Sequence, residues 1–394
     1  MFLKLVAFLL ITPQLSIHFV NIKIDSYVVL LLILFIRFIY NSPKYLYKEV
    51  FFYISLFLLF SYTLIMQFLF NTSGVEIQAH TTYSIYREVD TFGSAPLSGN
   101  FDYHILIRII GILLFSFLLF DFLKKKHVKQ LIEFFKNILY MLAFIQIIFY
   151  ILFKINYLDS FIRSFLPDNI HEDGSLGIAM TIREGFIRVA GGFSEPSFLA
   201  IIYFIAIFSL FLILKNNKLN LSNKDKIFIL ISWIVVLLTT ISFTHFISLV
   251  LVIWILFDFN KFFLAFGMLI FLLFFEFIVF MEFDFLKYVN ASFISRIYFN
   301  TNFENFETSK IFFGTEITHF YNFILSKNLI LQLGSFGTFI WFLILIIFLR
   351  DKYFLLILGV LLILFISPRF TDTFLYIAFS FFLTIKYKQE NSLK

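Results

Sequence analysis

The chain contains no cysteine, which removes disulfides and thiolate metal sites and leaves its redox compartment open. It has no Asp-x-Asp, no histidine pair at i, i+4 spacing and no compact carboxylate cluster, so no bound metal ion or other cofactor is indicated. Internal repeats are missing, and no linker sets off a soluble domain. Charge is scarce as well, at 14% of residues, where an ordinary soluble domain carries about 25%. What fills the space is apolar: 61% of the 394 residues are hydrophobic, and the mean hydropathy is +0.94. A chain of this length cannot hide that much apolar surface from water. A soluble enzyme, a disordered tail protein and a nucleic-acid binder are therefore excluded. Phenylalanine is abundant, with 64 residues, but it sits mostly in the apolar runs, where any large apolar side chain suits a lipid-facing position.

Apolar runs of membrane-spanning length recur from end to end and predict an all-α, polytopic integral membrane protein, a single membrane domain over 1–394. Hydropathy places about twelve transmembrane helices near 2–20, 26–40, 50–70, 104–122, 138–153, 194–214, 227–243, 245–258, 262–282, 329–349, 353–367 and 374–385. Several are shorter than the ~20 residues a span needs, so merging or re-entrant folding around 227–258 and 353–385 stays open. The stretch from Met1 to Val20 lacks a small-residue cleavage site and reads as a first span, not a removed signal peptide.

The net charge is +6, and its distribution matters more than its size. With both termini cytoplasmic, the inner connections hold Lys44 and Lys48, the run Lys124-Lys125-Lys126 with Lys129, then Lys215, Lys218, Lys224 and Lys226. Acidic residues gather on the other side. The Lys-Lys-Lys-His-Val-Lys run reads as an orientation signal beside lipid headgroups. Three outer connections are long, near 71–103, 154–193 and 283–328, and long loops are uncommon unless functional or disordered. The latter two mix arginine, carboxylates, glycine and aromatic residues, which is not a disordered composition.

The most informative segment runs Arg183-Glu184-Gly185-Phe186-Ile187-Arg188-Val189-Ala190-Gly191-Gly192-Phe193-Ser194-Glu195-Pro196-Ser197 and leads straight into an apolar run. Ser194 suits an N-cap and Pro196 a first-turn position, which would put Glu195 at a helix N-terminus. The helix dipole there favours an ionised carboxylate. Gly191-Gly192 permits a tight turn or close approach to a ligand. Arg188 is available to pair with Glu195 or with a phosphate. The same residues also fit a plain helix cap neutralised by an arginine.

This segment, in the form Arg-Val-Ala-Gly-Gly-Phe-Ser-Glu-Pro-Ser, resembles the stretch entering a central span of O-antigen polymerases, the Wzy-type oligosaccharide repeat-unit polymerases of bacterial envelopes. Leu237 to Ser248 resembles their Ser/Thr-rich hairpin, although an arginine often found there is absent. Phe312 to Asn322, followed by Gly334-Ser335-Phe336-Gly337, resembles the end of their second outer loop and the Gly-x-x-Gly of the next helix. The related ligases carry a His-Asn motif; here Tyr321 precedes Asn322 and the histidine is displaced to His319.

The resemblance implies a glycosyltransferase of the bacterial inner membrane that needs no metal or cofactor. It would move a growing glycan from undecaprenyl diphosphate to the next lipid-linked repeat unit, and so build O-antigen or a capsule-type polysaccharide. Its partners would be those lipid-linked oligosaccharides and the bilayer, with a chain-length regulator and a repeat-unit flippase beside it, and no nucleic acid. A lipid diphosphate leaving group needs fixed positive charge, for which Arg188 and Arg296 are the foremost candidates, then Arg183 and Arg163. An acceptor hydroxyl needs a base, with Glu195, His319 and Glu316 as candidates in that order. Glu276, an ionisable residue within a span, could line a substrate groove or snorkel outward. His245 could close the floor of the site or serve as an ordinary turn histidine. Arg37 and Arg108 read as snorkelling residues near span ends. A transporter or flippase of lipid-linked oligosaccharide is the rival class; it should carry several midplane charges and broken helices.

Overall fold

The structure, a computed structural model, describes residues 2–13, 16–19, 22–40, 47–70, 103–157, 180–183, 186–189, 196–240, 243–257, 308–314, 325–350 and 373–392. Helices within them are α1 (Phe2–Ile11), α2 (Ser26–Tyr40), α3 (Tyr47–Leu69), α4 (Tyr103–Lys124), α5 (Val128–Lys154), α6 (Pro196–Asn216), α7 (Asn223–Thr240), α8 (Phe243–Phe257), α9 (Thr308–Phe313), α10 (Leu325–Leu349) and α11 (Thr373–Ser392). Two antiparallel ribbons join them: β1 (Ser16–Phe19) with β2 (Ile22–Asp25), and β3 (Met180–Arg183) with β4 (Phe186–Val189). The spans expected near 262–282 and 353–367 lie outside the described residues, as do most of the three outer loops.

Among the described residues, five helices are long and apolar enough to cross a bilayer: Lys48–Leu69, Leu106–Lys124, Val128–Lys154, Phe198–Asn216 and Gln332–Leu349. The chain is thus a multi-pass membrane protein. How its helices meet lipid is visible in α3, where exposed Phe51, Ile54, Leu58, Tyr62, Ile65 and Phe68 recur every three or four residues. Phe52, Leu56, Leu59, Phe60 and Thr63 form its buried face. A continuous stripe of large apolar side chains on the outside is tolerable only where hydrocarbon replaces water.

Two expectations change. The first span, read as 2–20, is a ten-residue helix ending at Ile11, about 15 Å long and half of what a bilayer core requires. Pro13 disfavours helix in the residue before it, and beyond it Ser16-Ile17-His18-Phe19 and Ile22-Lys23-Ile24-Asp25 alternate polar with apolar. That period of two makes a ribbon, with Ser16 opposite Asp25 and Phe19 opposite Ile22. The second change is α5, which begins at Val128 instead of 138. Its first turns carry Lys129, Gln130, Glu133 and Lys136 on an amphipathic stretch whose Leu131, Phe134, Phe135 and Leu139 are buried; a hydropathy window sees only the later, uniformly apolar part.

The contacts divide the chain into two compact units. In the first (Met1–Asn41, Phe122–Val289, Lys388–Lys394), α6 is the hub and packs on α5, α7 and α8. It is apolar all round, and 89% of its spanning window is buried, as such a helix demands. At the lysine-bearing end of this unit the Arg37 guanidinium lies 4.9 Å from the Phe2 ring centre and 5.2 Å from that of Phe122, with Lys126 4.7 Å from Phe122 on the same ring. Partial burial, then the charges of Arg37 and Lys125, hold the Lys126 ammonium below the ordinary lysine range. Lys136 joins α5 to α7 by pairing with Asp225 at 2.8 Å, while also meeting Glu133 at 2.7 Å.

The second unit (Ser42–Asp121, Asn290–Tyr387) packs α10 on α3 and α9. A hydroxyl knot ties three of its helices: Ser116 of α4 meets Tyr53 of α3 (3.1 Å) and Ser380 of α11 (2.8 Å) and donates to the Tyr376 carbonyl (2.8 Å). In hydrocarbon, where apolar faces gain nothing by meeting each other instead of lipid, such small polar groups and close packing hold helices together.

Candidate functional site

Arg183 and Arg188 fall in the β3–β4 ribbon. Met180-Thr181-Ile182-Arg183 and Ile187-Arg188-Val189 alternate apolar with polar on either side of Glu184-Gly185, a two-residue connection containing glycine, which favours a hairpin. The register pairs Met180 with Val189, Thr181 with Arg188, Ile182 with Ile187 and Arg183 with Phe186. Paired residues share a face and successive residues alternate, so Thr181, Arg183, Phe186 and Arg188 stand on one face. Met180, Ile182, Ile187 and Val189 stand on the other. Val189 is fully buried, and β4 lies against α5 and α7. The ribbon is therefore seated on the first unit through β4, with its two arginines on the face opposite that of Val189.

From β4 the chain continues to α6, whose first residue is Pro196, a position that suits the fixed φ of proline. Glu195 immediately precedes it and lies outside the described residues, as do Arg296, His319, Glu316, Glu276 and Arg163. The register thus places Arg183 and Arg188 on one ribbon face, and the other charged candidates lie outside the described residues.

His245 is fully buried in α8. Its Nε2 lies 2.8 Å from the Trp233 carbonyl, and because a carbonyl only accepts, Nε2 carries the proton. The imidazole stacks on the Trp233 indole at 15° and meets the Tyr203 ring edge-on at 4.7 Å. The Trp233 indole N–H donates to Ser248 Oγ (2.8 Å) and to the His245 carbonyl (3.2 Å), while Tyr203 shares a 2.9 Å hydrogen bond with Ser232. His245 thus fastens α8 to α7 and α6. Its Nδ1 has no partner among the described residues, and neither does the fully buried amide of Gln146 on α5.

The second unit holds a constellation that hydropathy and charge did not reveal. Helix α10 is broken at Gly334 (φ 72°, ψ 173°), and Gly314, directly after α9, has φ 82°. The two backbones cross there. A Cβ on Gly314 would stand 2.6 Å from the Gln332 carbonyl oxygen and 2.7 Å from the Gly334 nitrogen. Gln67 of α3 binds both sides of the crossing, its amide donating to the carbonyls of Phe313 (3.2 Å) and Gln332 (2.6 Å). Stacked rings close the joint, Phe70 on Phe313 at 4.5 Å and Phe312 on Phe336 at 5.5 Å. The Phe-Phe-Gly and Gly-Ser-Phe-Gly segments noted in the sequence are therefore one structural feature. It anchors the chain two residues before Glu316 and five before His319. A sequence signal for Gln67 existed: it is a lone amide in the long apolar run of α3.

No protein-family model, curated protein or solved structure matches the chain.

Proposed function

We propose that the protein is a lipid-linked glycan polymerase, a metal-independent glycosyltransferase acting at the outer face of the bacterial inner membrane. The observation that carries this reading is the β3–β4 register, which puts Arg183 and Arg188 on one ribbon face directly upstream of Glu195 and α6. Two arginines on one face of a two-stranded ribbon suit a diphosphate, since a guanidinium can contact its oxygens through two parallel N–H groups. In the transfer, the anomeric carbon–oxygen bond to undecaprenyl diphosphate breaks and a bond to the acceptor hydroxyl forms. The hydroxyl proton passes to a base, for which Glu195 stands first, then His319 and Glu316. The lipid diphosphate leaves with the bonding electron pair, its charge offset by Arg188 and Arg183, with Arg296 as a further contributor. Glu276 belongs to the lining of the groove in this reading, while the fully buried His245 serves to hold α6, α7 and α8 together. A repeat-unit flippase would supply substrate, and a chain-length regulator would act on the product.

The interruption of α10 at Gly334 favours a second reading, because transporters and flippases use discontinuous helices at their substrate sites. Attachment of finished glycan by an O-antigen ligase is a third. One experiment separates them: surface glycan from a deletion strain carrying wild type, Arg188→Ala or Glu195→Ala, resolved on a gel. Polymerase loss leaves single-repeat product with no long chains, at unchanged protein abundance. Flippase loss leaves no repeat unit outside, and ligase loss leaves polymer unattached. Full-length polymer from Arg188→Ala defeats the assignment of the ribbon.

A further inference from the structure

Helix α6 ends in a turn that ordinarily calls for glycine. Leu219 N–H bonds to the Leu214 carbonyl at 2.9 Å and Lys218 N–H to that of Lys215 at 3.4 Å, with Lys218 in the left-handed region at φ 52°. Glycine, or sometimes asparagine, is the usual occupant because a Cβ is strained there. The end of α5 follows that preference: Asn156 (φ 54°) takes the left-handed position, and Tyr157 N–H bonds to the Leu152 carbonyl at 2.9 Å. In α6 a lysine stands where glycine would cost less.

That lysine is part of the wall of a cavity of about 230 Å³, enclosed by the end of α6 (Phe211, Lys215), the connection from Lys218 to Leu221 and the end of α8 (Trp254). The inner wall is aromatic, the Phe211 and Trp254 ring centres being 3.8 Å apart, and the Lys215 ammonium lies 5.0 Å from the Trp254 ring centre. Lys218 and Asn220 are exposed at the rim. No carboxylate is among the described residues that line it. Lys226 is occupied nearby, donating to the Leu256 carbonyl at 2.9 Å, and Asp225 is held by Lys136. The C-terminal end of a helix repels anions, but here the Ile213, Leu214 and Lys215 carbonyls are already bonded by the following N–H groups. Tryptophan and lysine at the ends of apolar helices mark the level of lipid headgroups.

We propose that this cavity binds the phosphodiester headgroup of an anionic membrane lipid. Lys218 and Lys215 supply the charge, Asn220 an amide donor and Trp254 the wall against the glyceryl portion. The strained turn puts Lys218 in the cavity wall, where a glycine turn would supply no charge. This site lies at the lysine-rich end of α6, opposite the end that receives the ribbon, and it does not depend on the glycan chemistry proposed above.

The test uses the purified full chain in neutral detergent, titrated with phosphatidylglycerol, phosphatidylcholine or inorganic phosphate and followed by thermal unfolding. Phosphatidylglycerol should raise the midpoint saturably and phosphatidylcholine should not. Lys218→Gly should bind about fivefold more weakly, the equivalent of one lysine–lipid attraction, while its lipid-free midpoint equals or exceeds wild type. Lys224→Gln removes the same charge from a lysine outside the cavity, 6.0 Å from the Phe228 ring, and should bind nearly as wild type does. Equal effects of the two substitutions would mean diffuse surface attraction and overturn the site. So would a fall in the lipid-free midpoint of Lys218→Gly, which would make the lysine structural. Full competition by inorganic phosphate would reassign the cavity to a soluble phosphate and overturn the lipid assignment.

Discussion

Replacing Gly334 by alanine tests whether the broken helix is a fixed feature of the fold. The new Cβ would overlap the Phe312 carbonyl oxygen and come within 2.5 Å of the Gly314 nitrogen, both of them backbone atoms that no rotamer change can move aside. The conformation itself, φ 72° with ψ 173°, belongs to a region that is essentially glycine's alone and costs other residues about 1–3 kcal/mol. Overpacking that forces backbone shifts costs roughly 1–3 kcal/mol more. The sum, about 2–6 kcal/mol, is a large part of the 5–15 kcal/mol typical of a folded protein. Thermal unfolding of detergent-purified variants provides a graded scale. Gly314→Ala, with its Cβ 2.6 Å from backbone and φ 82°, should be nearly as harmful. Gly337→Ala would bring its Cβ to 3.0 Å from the Leu333 Cβ, which the backbone fixes, and to 3.5 Å from the Thr63 hydroxyl, so it should fall between Gly334→Ala and Gly111→Ala. Gly111→Ala has nothing within 4 Å and should unfold at or above the wild-type midpoint, given alanine's better helix propensity. A wild-type midpoint for Gly334→Ala, or an order with Gly111 worse than Gly334, would refute the crossing of the two backbones.

Gln67→Leu keeps the bulk of the side chain but strips both donors from the Phe313 and Gln332 carbonyls; leaving buried acceptors unmet should lower stability by about 1–3 kcal/mol, read as a lower unfolding midpoint. Gln146→Leu should do the reverse. Its buried amide has no partner among the described residues, so an apolar replacement should hold or raise the midpoint, and a drop would show that the amide has a partner in the folded chain. Trp233→Phe retains a ring for His245 to stack on but removes the indole N–H that meets Ser248 and the His245 carbonyl. It should cost about 0.5–1.5 kcal/mol, whereas an unchanged midpoint would assign the α7–α8 tie to ring stacking and the His245 bond to the residue-233 carbonyl, both of which the variant keeps.

Hydropathy located α3, α4, α6 and α10 to within a few residues because a span is recognised by length and apolarity alone. It failed where another period governs. The early turns of α5 are amphipathic, and the stretch after Pro13 alternates with period two, so a window tuned to lipid averages both away. The arginines at 183 and 188 stood out by charge, but that they share a face follows only from the register that pairs Thr181 with Arg188. Gln67 stood out only as a lone amide in an apolar run; what it ties could not be read, since its partners lie 246 and 265 residues further along the chain. Contacts of that separation leave no local pattern.

The enclosure of α6 on nearly every side bears on how the protein is made. Its residues leave the ribosome before α7 and α8 exist, so the faces those helices later cover are first met by acyl chains. Completing the first unit then exchanges lipid for side chains, with no water expelled and no hydrophobic gain to drive it. What must favour assembly is the closeness of fit, the summed dispersion of many contacts such as that of Phe211 with Trp254, together with the few polar ties that lipid cannot imitate. A substitution in α6 that shortens one side chain would therefore be felt first in biogenesis, as a helix inserted in the bilayer yet never gathered into its bundle.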